Sequence, residues 1–83
     1  MYRVKVIAQA QKDLDAFHGK AFDNIKKKIL SLSANPRPFG AIKITQEEGY
    51  RLRVGDYRIL YRIDDKFKGV VIYRVKHRKE AYR

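Results

Sequence analysis

Hydrophobic and basic residues alternate along the second half of the chain, on both sides of a Gly-Asp pair at 55–56. Two alternating runs joined by a two-residue turn of this kind are typical of a β-hairpin. The turn sets the register, because Val54 then pairs with Tyr57. Arg53 consequently lies opposite Arg58. Since side chains alternate between the faces of a strand, the hairpin has an apolar face and an arginine face. The apolar face is predicted to hold Tyr50, Leu52, Val54, Tyr57, Ile59, Tyr61 and Ile63, and the arginine face Arg51, Arg53, Arg58, Leu60 and Arg62.

The first half of the chain changes to helical periodicity. After a strand-like alternation, two segments place apolar residues three or four positions apart, which is the spacing of a helix face. Gly19 lies in the break between them, where it suits a helix C-cap. Both prolines of the chain fall within 33–40 and favour a loop there. The predicted elements are strands at 2–7 and 42–45, helices at 9–17 and 21–33, the hairpin at 50–63, a strand at 70–75, turns at 46–49 and 64–69, and a basic tail at 76–83.

This order of elements, β-α-α-β-β-β-β, predicts the fold class. We expect a small α+β protein, with residues 1–83 forming a single domain. A two-helix hairpin should pack on the apolar face of a mostly antiparallel, twisted sheet and leave the arginine face open. The strand at 70–75 is apolar on both sides except at Arg74, as expected of an interior strand. Phe39 and Tyr73 are expected in core or loop packing, and Lys26, Lys27 and Lys28 on a solvated helix face.

The net charge of the chain favours some classes of binding partner over others. Its 83 residues carry a formal net charge of +11, from 20 Lys plus Arg against 9 Asp plus Glu. Such a balance implies a polyanionic partner, either nucleic acid or an acidic protein, rather than a membrane surface. The chain has no cysteine, so disulfides and thiol chemistry are excluded and a cytoplasmic location is expected. We predict no metal, no cofactor and no membrane span.

The arginine face is the strongest candidate for a functional site. Like charges placed opposite each other, as with Arg53 and Arg58, destabilise a strand pair. An anion held between them reverses that effect, and the planar guanidinium group binds phosphate in a bidentate way. The alternative is a solvated face of a basic protein. We favour phosphate binding, because the arginines share one face of a rigid hairpin.

These residue types suit cleavage of RNA without a metal. In that reaction the 2′-hydroxyl attacks the adjacent phosphorus, and arginines stabilise the charge of the transition state. Arginine stays protonated and cannot remove the proton. That work would fall to His77, whose residue type titrates near neutral pH, or to Tyr82. An ordinary surface role for His77 remains the alternative, and His18 is expected to be structural.

Two stretches carry a resemblance to a known family. Residues 49–61 read GYRLRVGDYRILY and residues 75–82 read VKHRKEAY. Together they resemble the RelE family within the RelE/ParE toxin superfamily, and the likeness extends over nearly the whole chain. It implies a toxin of a type II toxin–antitoxin pair that enters the ribosomal A site and cuts mRNA there. The implied partners are an acidic antitoxin protein and the ribosome with its mRNA and rRNA.

The resemblance also implies roles for single residues. Arg51 and Arg53 match two basic residues on the first hairpin strand of the family. Arg58 and Arg78 match arginines that stabilise the transition state. Tyr82 matches a C-terminal tyrosine that stacks on the substrate base or assists proton transfer.

One departure from the family bears on the mechanism. The family pattern has lysine at one or both of the positions held here by Arg51 and Arg53, and lysine can lose its proton where arginine cannot. The general base is therefore open, with His77 a candidate. Two alternative functions are a ParE-like toxin that poisons DNA gyrase without cutting RNA, and an inactive relative that acts as a corepressor with its antitoxin.

Overall fold

The computed structural model describes residues 1–44 and 49–77. In this part of the chain, strands and helices follow one another in the predicted order, which confirms the α+β fold class. The elements are β1 Arg3–Val6, α1 Ala8–Asp15, α2 Gly19–Ser31, β2 Ala41–Ile44, β3 Gly49–Val54, β4 Tyr57–Asp64 and β5 Gly69–His77. The predicted strand residue Thr45, residues 46–48 of the predicted turn and residues 78–83 of the predicted tail lie outside the described residues.

The strands form one sheet in the order β1-β5-β4-β3-β2. β1 runs parallel to β5, and the other neighbouring pairs are antiparallel. β5 thus lies between β1 and β4, which confirms the interior position predicted from its apolar sequence. Both helices contribute to the core on one side of the sheet, called here the helix face.

The register of the hairpin is as predicted. Val54 pairs with Tyr57, and Arg53 pairs with Arg58. The turn between them begins at Gly55, whose φ of 58° lies in the left-handed region that glycine adopts without strain. The two-residue turn therefore fixes which side chains share the arginine face.

The helix boundaries differ from the predicted ones near the break between the helices. α1 ends at Asp15 with Ala16 as its C-cap, so the C-cap predicted at Gly19 is wrong. Gly19 is instead the first residue of α2, with a φ of 69°. Just after α1, the ring centroid of Phe17 lies 4.6 Å from that of Tyr57.

The core lies between the helices and the sheet. Its buried members include Tyr61 of β4, whose hydroxyl donates to the carbonyl oxygen of Pro36 at 2.8 Å. This bond fixes the proline-containing loop through Pro36. Phe39, in contrast, is fully exposed (106 %), so its predicted packing role is wrong. The buried apolar residues are Ala10, Leu14, Ile25, Ile29, Leu32, Leu52, Ile59, Tyr61, Val70, Ile72 and Val75.

A β-bulge interrupts β5 and decides which of its side chains reach each face. Tyr61 pairs with Ile72, but the preceding Leu60 pairs with Arg74, so Tyr73 is an extra residue. One extra residue reverses the alternation beyond it. Val75 consequently joins the core with Ile72. The bulge also moves the next two residues, Lys76 and His77, to the faces opposite those that strict alternation would give.

Candidate functional site

Three basic residues lie side by side across the arginine face. Arg58 of β4 pairs with Arg53 of β3 on one side and with Lys76 of β5 on the other. Residues paired in this way share a face, with Cβ atoms about 5 Å apart. We call Arg53, Arg58 and Lys76 the cation row. It places three positive charges on three adjacent strands.

The members of the cation row differ in exposure. Arg53 is exposed and Lys76 is half-buried, whereas Arg58 is only 2 % exposed. The expectation of an open arginine face is therefore wrong at Arg58. Arg58 lies on the middle strand of the sheet, and its guanidinium folds back along that strand, where Nη1 donates to the carbonyl oxygen of Tyr57 at 3.3 Å.

Two further arginines border the row. Arg51 is half-buried on β3 and pairs with Leu60. Arg62 lies further along β4, with its guanidinium carbon 4.7 Å from the ring centroid of Tyr73. This cation–π contact engages Arg62 at a distance from the cation row. Arg51 is thus the nearer extension of the site.

Two salt bridges of the described residues lie away from the cation row. Within residues 1–44 and 49–77, salt bridges join Arg37 to Asp65 and Arg74 to Asp13. Neither pair involves the cation row. A surface that keeps several cations together in this way is suited to a polyanion.

The structure does not bring His77 together with the arginines. His77 pairs with Tyr57, and the two rings meet edge to face with centroids 5.2 Å apart. Tyr57 in turn contacts Phe17 of the segment after α1, so His77 belongs to the helix face. The bulge at Tyr73 is the cause of this placement. Arg78 and Tyr82, the other predicted site residues of the tail, lie outside the described residues.

Lys76 is a candidate site residue that was not predicted from the sequence, which places it in the basic tail at 76–83. Strict alternation along β5 would put it on the same face as Ile72. One signal was present in the sequence. The apolar residues Val70 and Ile72 are two apart, but the next buried residue, Val75, is three further on, as expected across a one-residue bulge.

A groove next to Arg53 is lined by two lysines of α2. It has a volume of about 470 Å³ and lies between α2 and the hairpin turn. Lys27 and Lys28, predicted to be solvated, line it together with Arg53. Positive charge therefore continues from the cation row around the edge of the sheet to α2.

A second polar cluster, far from the hairpin turn, has the opposite character. The guanidinium of Arg37 donates to both carboxylate oxygens of Asp65, at 3.1 and 2.8 Å. The hydroxyl of Tyr2 donates to Asp65 at 2.7 Å, and Arg37 Nε donates to the hydroxyl of Tyr50 at 3.0 Å. We call Tyr2, Arg37, Tyr50 and Asp65 the Asp65 cluster.

Hydrogen bonds within the Asp65 cluster shift the pKa values of Asp65 and Arg37. The hydrogen bonds from Arg37 and Tyr2 lower the pKa of Asp65 to about 2. The same bond with Asp65 raises the pKa of Arg37. Beneath the cluster, burial raises the pKa of Tyr61 to about 12, with a smaller contribution from Tyr50. Asp65 is therefore ionised and Tyr61 protonated at neutral pH.

A third arrangement closes the open edge of β5. β1 pairs with β5 only as far as Ile72, and beyond the bulge no other strand of residues 1–44 and 49–77 lies on that side of β5. Asp13 of α1 accepts hydrogen bonds there from the N–H of Val75 at 2.9 Å and from Arg74 Nε at 2.8 Å. Burial alone would raise the pKa of Asp13, but these bonds outweigh it and the pKa lies below its ordinary value.

Comparison with known proteins places this architecture in a family. The family described as the ParE toxin of the parDE type II toxin–antitoxin system matches residues 4–82. Toxin RelG of Mycobacterium tuberculosis is 56 % identical over 34 residues, which are 41 % of this chain and 39 % of that protein. The matched stretch thus spans about two fifths of this curated relative.

Solved structures of two relatives match over nearly their full length. The RelBE2 toxin–antitoxin complex of Mycobacterium tuberculosis has a TM-score of 0.79 and 31 % identity, covering 93 % of this chain and 98 % of that chain. The RelE–RelB complex of Pyrococcus horikoshii OT3 has a TM-score of 0.79 and 29 % identity, covering 93 % and 94 %.

These matches define a class of protein, the toxins of type II toxin–antitoxin systems. The chain belongs to the RelE/ParE toxin family, and the resemblance to RelE toxins seen in its sequence is confirmed. Among the helices of the described residues, none has the length and apolar character needed to cross a membrane.

Proposed function

We propose that this toxin is a metal-independent endoribonuclease that cleaves mRNA in the ribosomal A site. The observation that carries the proposal is the register of the cation row. Arg53, Arg58 and Lys76 hold three neighbouring positive charges on a rigid sheet, where folding by itself favours neutral or opposite charges. A phosphate of the RNA backbone would bring a negative charge to this row.

The row would act on the phosphorus that is attacked. When the 2′-oxygen of a nucleotide attacks the adjacent phosphate, negative charge accumulates on the non-bridging oxygens. Arg58 and Arg53 would stabilise that charge with hydrogen bonds fixed in advance by the sheet. Arg51 would bind the same phosphate or the next one. Arg78 and Tyr82 have the transition-state and base-stacking roles that the family resemblance implies.

The proposal includes a need for the ribosome. The cation row lies on a sheet surface, and a flexible RNA held only by phosphate contacts adopts many geometries there. Orienting the 2′-oxygen in line with the scissile bond contributes several kcal/mol to such reactions. We propose that the A site supplies this orientation and that free RNA is cut poorly.

The test is a map of mRNA 5′ ends. Translating ribosomes are incubated with the toxin or with the Arg58→Ala variant, and primer extension locates new ends. New ends inside A-site codons, absent with the variant, are the expected result. Unchanged mRNA with the wild-type toxin would contradict the proposal.

A second candidate function is a ParE-like toxin that poisons DNA gyrase. It is favoured by the description of the matching family, which names ParE. Supercoiling by gyrase, measured with and without the toxin, distinguishes the two. Inhibited supercoiling together with intact mRNA would establish this alternative. If both assays are unaffected and expression leaves growth normal, the corepressor function is supported instead.

We also propose that the toxin pairs with an acidic antitoxin in the cytoplasm. Both relatives described above are complexes of a toxin with its antitoxin, and this chain carries a net charge of +11. Binding between opposite charges weakens as salt screens them. We expect the association rate with the antitoxin to fall steeply between low and high salt. A rate independent of salt would count against an acidic partner.

A further inference from the structure

We propose that Lys76 is the general base of this toxin, the residue that removes the proton from the attacking 2′-hydroxyl. This inference rests on the proposed function, cleavage of RNA at the cation row. It supplies the one step that arginines cannot perform, since a guanidinium stays protonated in proteins.

The position of Lys76 is the first argument. The bulge at Tyr73 turns Lys76 onto the arginine face and directly opposite Arg58. Arg58 is thereby flanked by an arginine on β3 and by a lysine on β5. A phosphate bound at Arg58 lies within reach of the flexible side chain of Lys76 on one side and of Arg53 on the other.

The surroundings of Lys76 are the second argument. Its side chain is half-buried, and it makes no salt bridge or side-chain hydrogen bond with the residues that the structure describes. Arg74, two residues earlier, is instead bound to Asp13. The amine of Lys76 is therefore not committed to a structural pair within that part of the chain.

The other titratable groups on the arginine face and in the hairpin turn lie away from Arg58. Lys5 shares the arginine face but is in register with Val71 and Arg62. Arg62 is four residues along β4 from Arg58, or about 13 Å. Asp56 lies in the hairpin turn, in a groove with residues of α2.

His77, the candidate from the sequence, packs against Tyr57 on the helix face. Lys76 is the cross-strand neighbour of Arg58 on β5, and an amine can both accept and release a proton.

The neutral amine of Lys76 accepts the proton of the 2′-hydroxyl and becomes an ammonium ion. The 2′-oxygen forms a bond to phosphorus, and the bond from phosphorus to the 5′-oxygen breaks. Water protonates the leaving 5′-oxygen, so the products are a 2′,3′-cyclic phosphate and a 5′-hydroxyl. The ammonium returns its proton to solvent before the next turnover.

The experiment compares two substitutions at Lys76 in single-turnover cleavage on programmed ribosomes. Lys76→Ala removes charge and base, while Lys76→Arg keeps the charge and removes only the base. General-base catalysis contributes about 10²–10⁴-fold, so we expect both variants to lose about that much rate. Binding of Lys76→Arg to the ribosome should remain within a few-fold of wild type. His77→Gln is the matched control on the opposite face and should still cleave.

Chemical rescue separates a base from a structural residue. Small primary alkylamines added to Lys76→Ala should restore part of the cleavage rate, with more basic amines acting more strongly per unprotonated molecule. They should not affect Arg58→Ala. Melting temperatures of all variants exclude loss of folding as the cause.

Three outcomes would overturn the inference. Lys76→Arg that cleaves at the wild-type rate would leave Lys76 an electrostatic role only. A large loss in His77→Gln with normal folding, and no loss at Lys76, would assign the base to His77. Failure of the wild-type toxin to cut ribosome-bound mRNA would instead remove the proposed function itself, together with this inference.

Discussion

The cation row and the Asp65 cluster use the same residue type in opposite ways. In the Asp65 cluster, Arg37 meets a carboxylate with two hydrogen bonds and a tyrosine hydroxyl with a third. In the cation row, Arg53 meets another arginine across the strand pair. One arrangement satisfies its charge within the protein, and the other concentrates charge of one sign.

The difference separates a structural arginine from the arginines to which we propose a function. Arg37 holds the loop after α2 to the turn after β4, and its charge is neutralised where it lies. Like charges on neighbouring strands repel each other, so the pairing of Arg58 with Arg53 and Lys76 opposes folding. The proposed function explains their retention by an anion from outside. The comparison therefore predicts that substitutions affect cleavage in the row and leave it unaffected in the cluster.

Among the arginine variants that test this comparison, the largest effect is expected from Arg58→Ala. It removes the central hydrogen-bond donor of the row, and we expect cleavage to fall on the order of 100–1,000-fold, as for a lost transition-state donor. Because Arg58 is 2 % exposed, this variant should also melt at a lower temperature. Arg58→Lys keeps the charge and should fold while still cleaving poorly. Arg37→Ala is the matched control and should cleave normally.

A smaller effect on cleavage is expected from Arg53→Glu, which converts the row into a pair like that of the Asp65 cluster. The glutamate would lie opposite Arg58 and replace a repulsion by an attraction of about 0.2–1 kcal/mol. We expect a slightly higher melting temperature together with a loss of cleavage of about 10–100-fold. Calorimetry and ribosome cleavage measure the two quantities. A variant that is less stable and equally active would show that repulsion at this position is unimportant.

The sequence alone predicts the part of the candidate site that depends on side chains alternating between the two faces of the hairpin. The Gly-Asp turn sets the register of β3 and β4, so the opposition of Arg53 and Arg58 followed directly from their distances to Gly55. The order of the elements and the interior position of β5 were also predictable, because apolar periodicity reports burial.

The faces predicted from strict alternation are wrong in the last part of β5, where one extra residue interrupts the alternation. The bulge at Tyr73 exchanges the faces of Lys76 and His77, and a single extra residue leaves only a faint trace in the hydrophobic pattern. Phe39 was misassigned for another reason. Its loop is held by polar bonds at Pro36 and Arg37, so an aromatic residue in that loop is not needed in the core. The burial of Arg58 depends on tertiary packing, which periodicity does not describe.

The effect of Asp13→Asn should fall on stability rather than on cleavage. Asp13 accepts from both Arg74 and the N–H of Val75, and its side chain is only 12 % exposed. Loss of its charge weakens hydrogen bonds at the edge of β5, and we expect a loss of about 1–3 kcal/mol in the free energy of unfolding. In a domain of this size that corresponds to a melting temperature lower by about 4–20 °C.

The loss of stability expected in Asp13→Asn should be larger at neutral pH than in acid. The pKa of Asp13 is lower in the folded protein than its ordinary value, so the charged form stabilises the fold above a pH of about 4. That contribution is lost as pH falls through the folded pKa. The difference between wild type and Asp13→Asn, followed by thermal melting from pH 7 to pH 2, should therefore shrink below about pH 4. A constant difference would assign the effect to packing.

The smallest effects are expected within the Asp65 cluster itself. Its ion pair is exposed, with 44 % of the Arg37 side chain and 56 % of the Asp65 side chain accessible, and exposed pairs are screened by water and salt. Arg37→Ala and Asp65→Asn should each lower the melting temperature slightly, less so at high salt. The double variant should lose little more than either single one, because the first substitution already removes the pair.

Since the pKa of Asp65 is about 2, the pair should persist in mild acid and break only as pH approaches that value. Cleavage on ribosomes should be unchanged in all three variants. If one of them were as inactive as Arg58→Ala, the satisfied arginine would be functional too, and charge balance could no longer separate the two kinds of site.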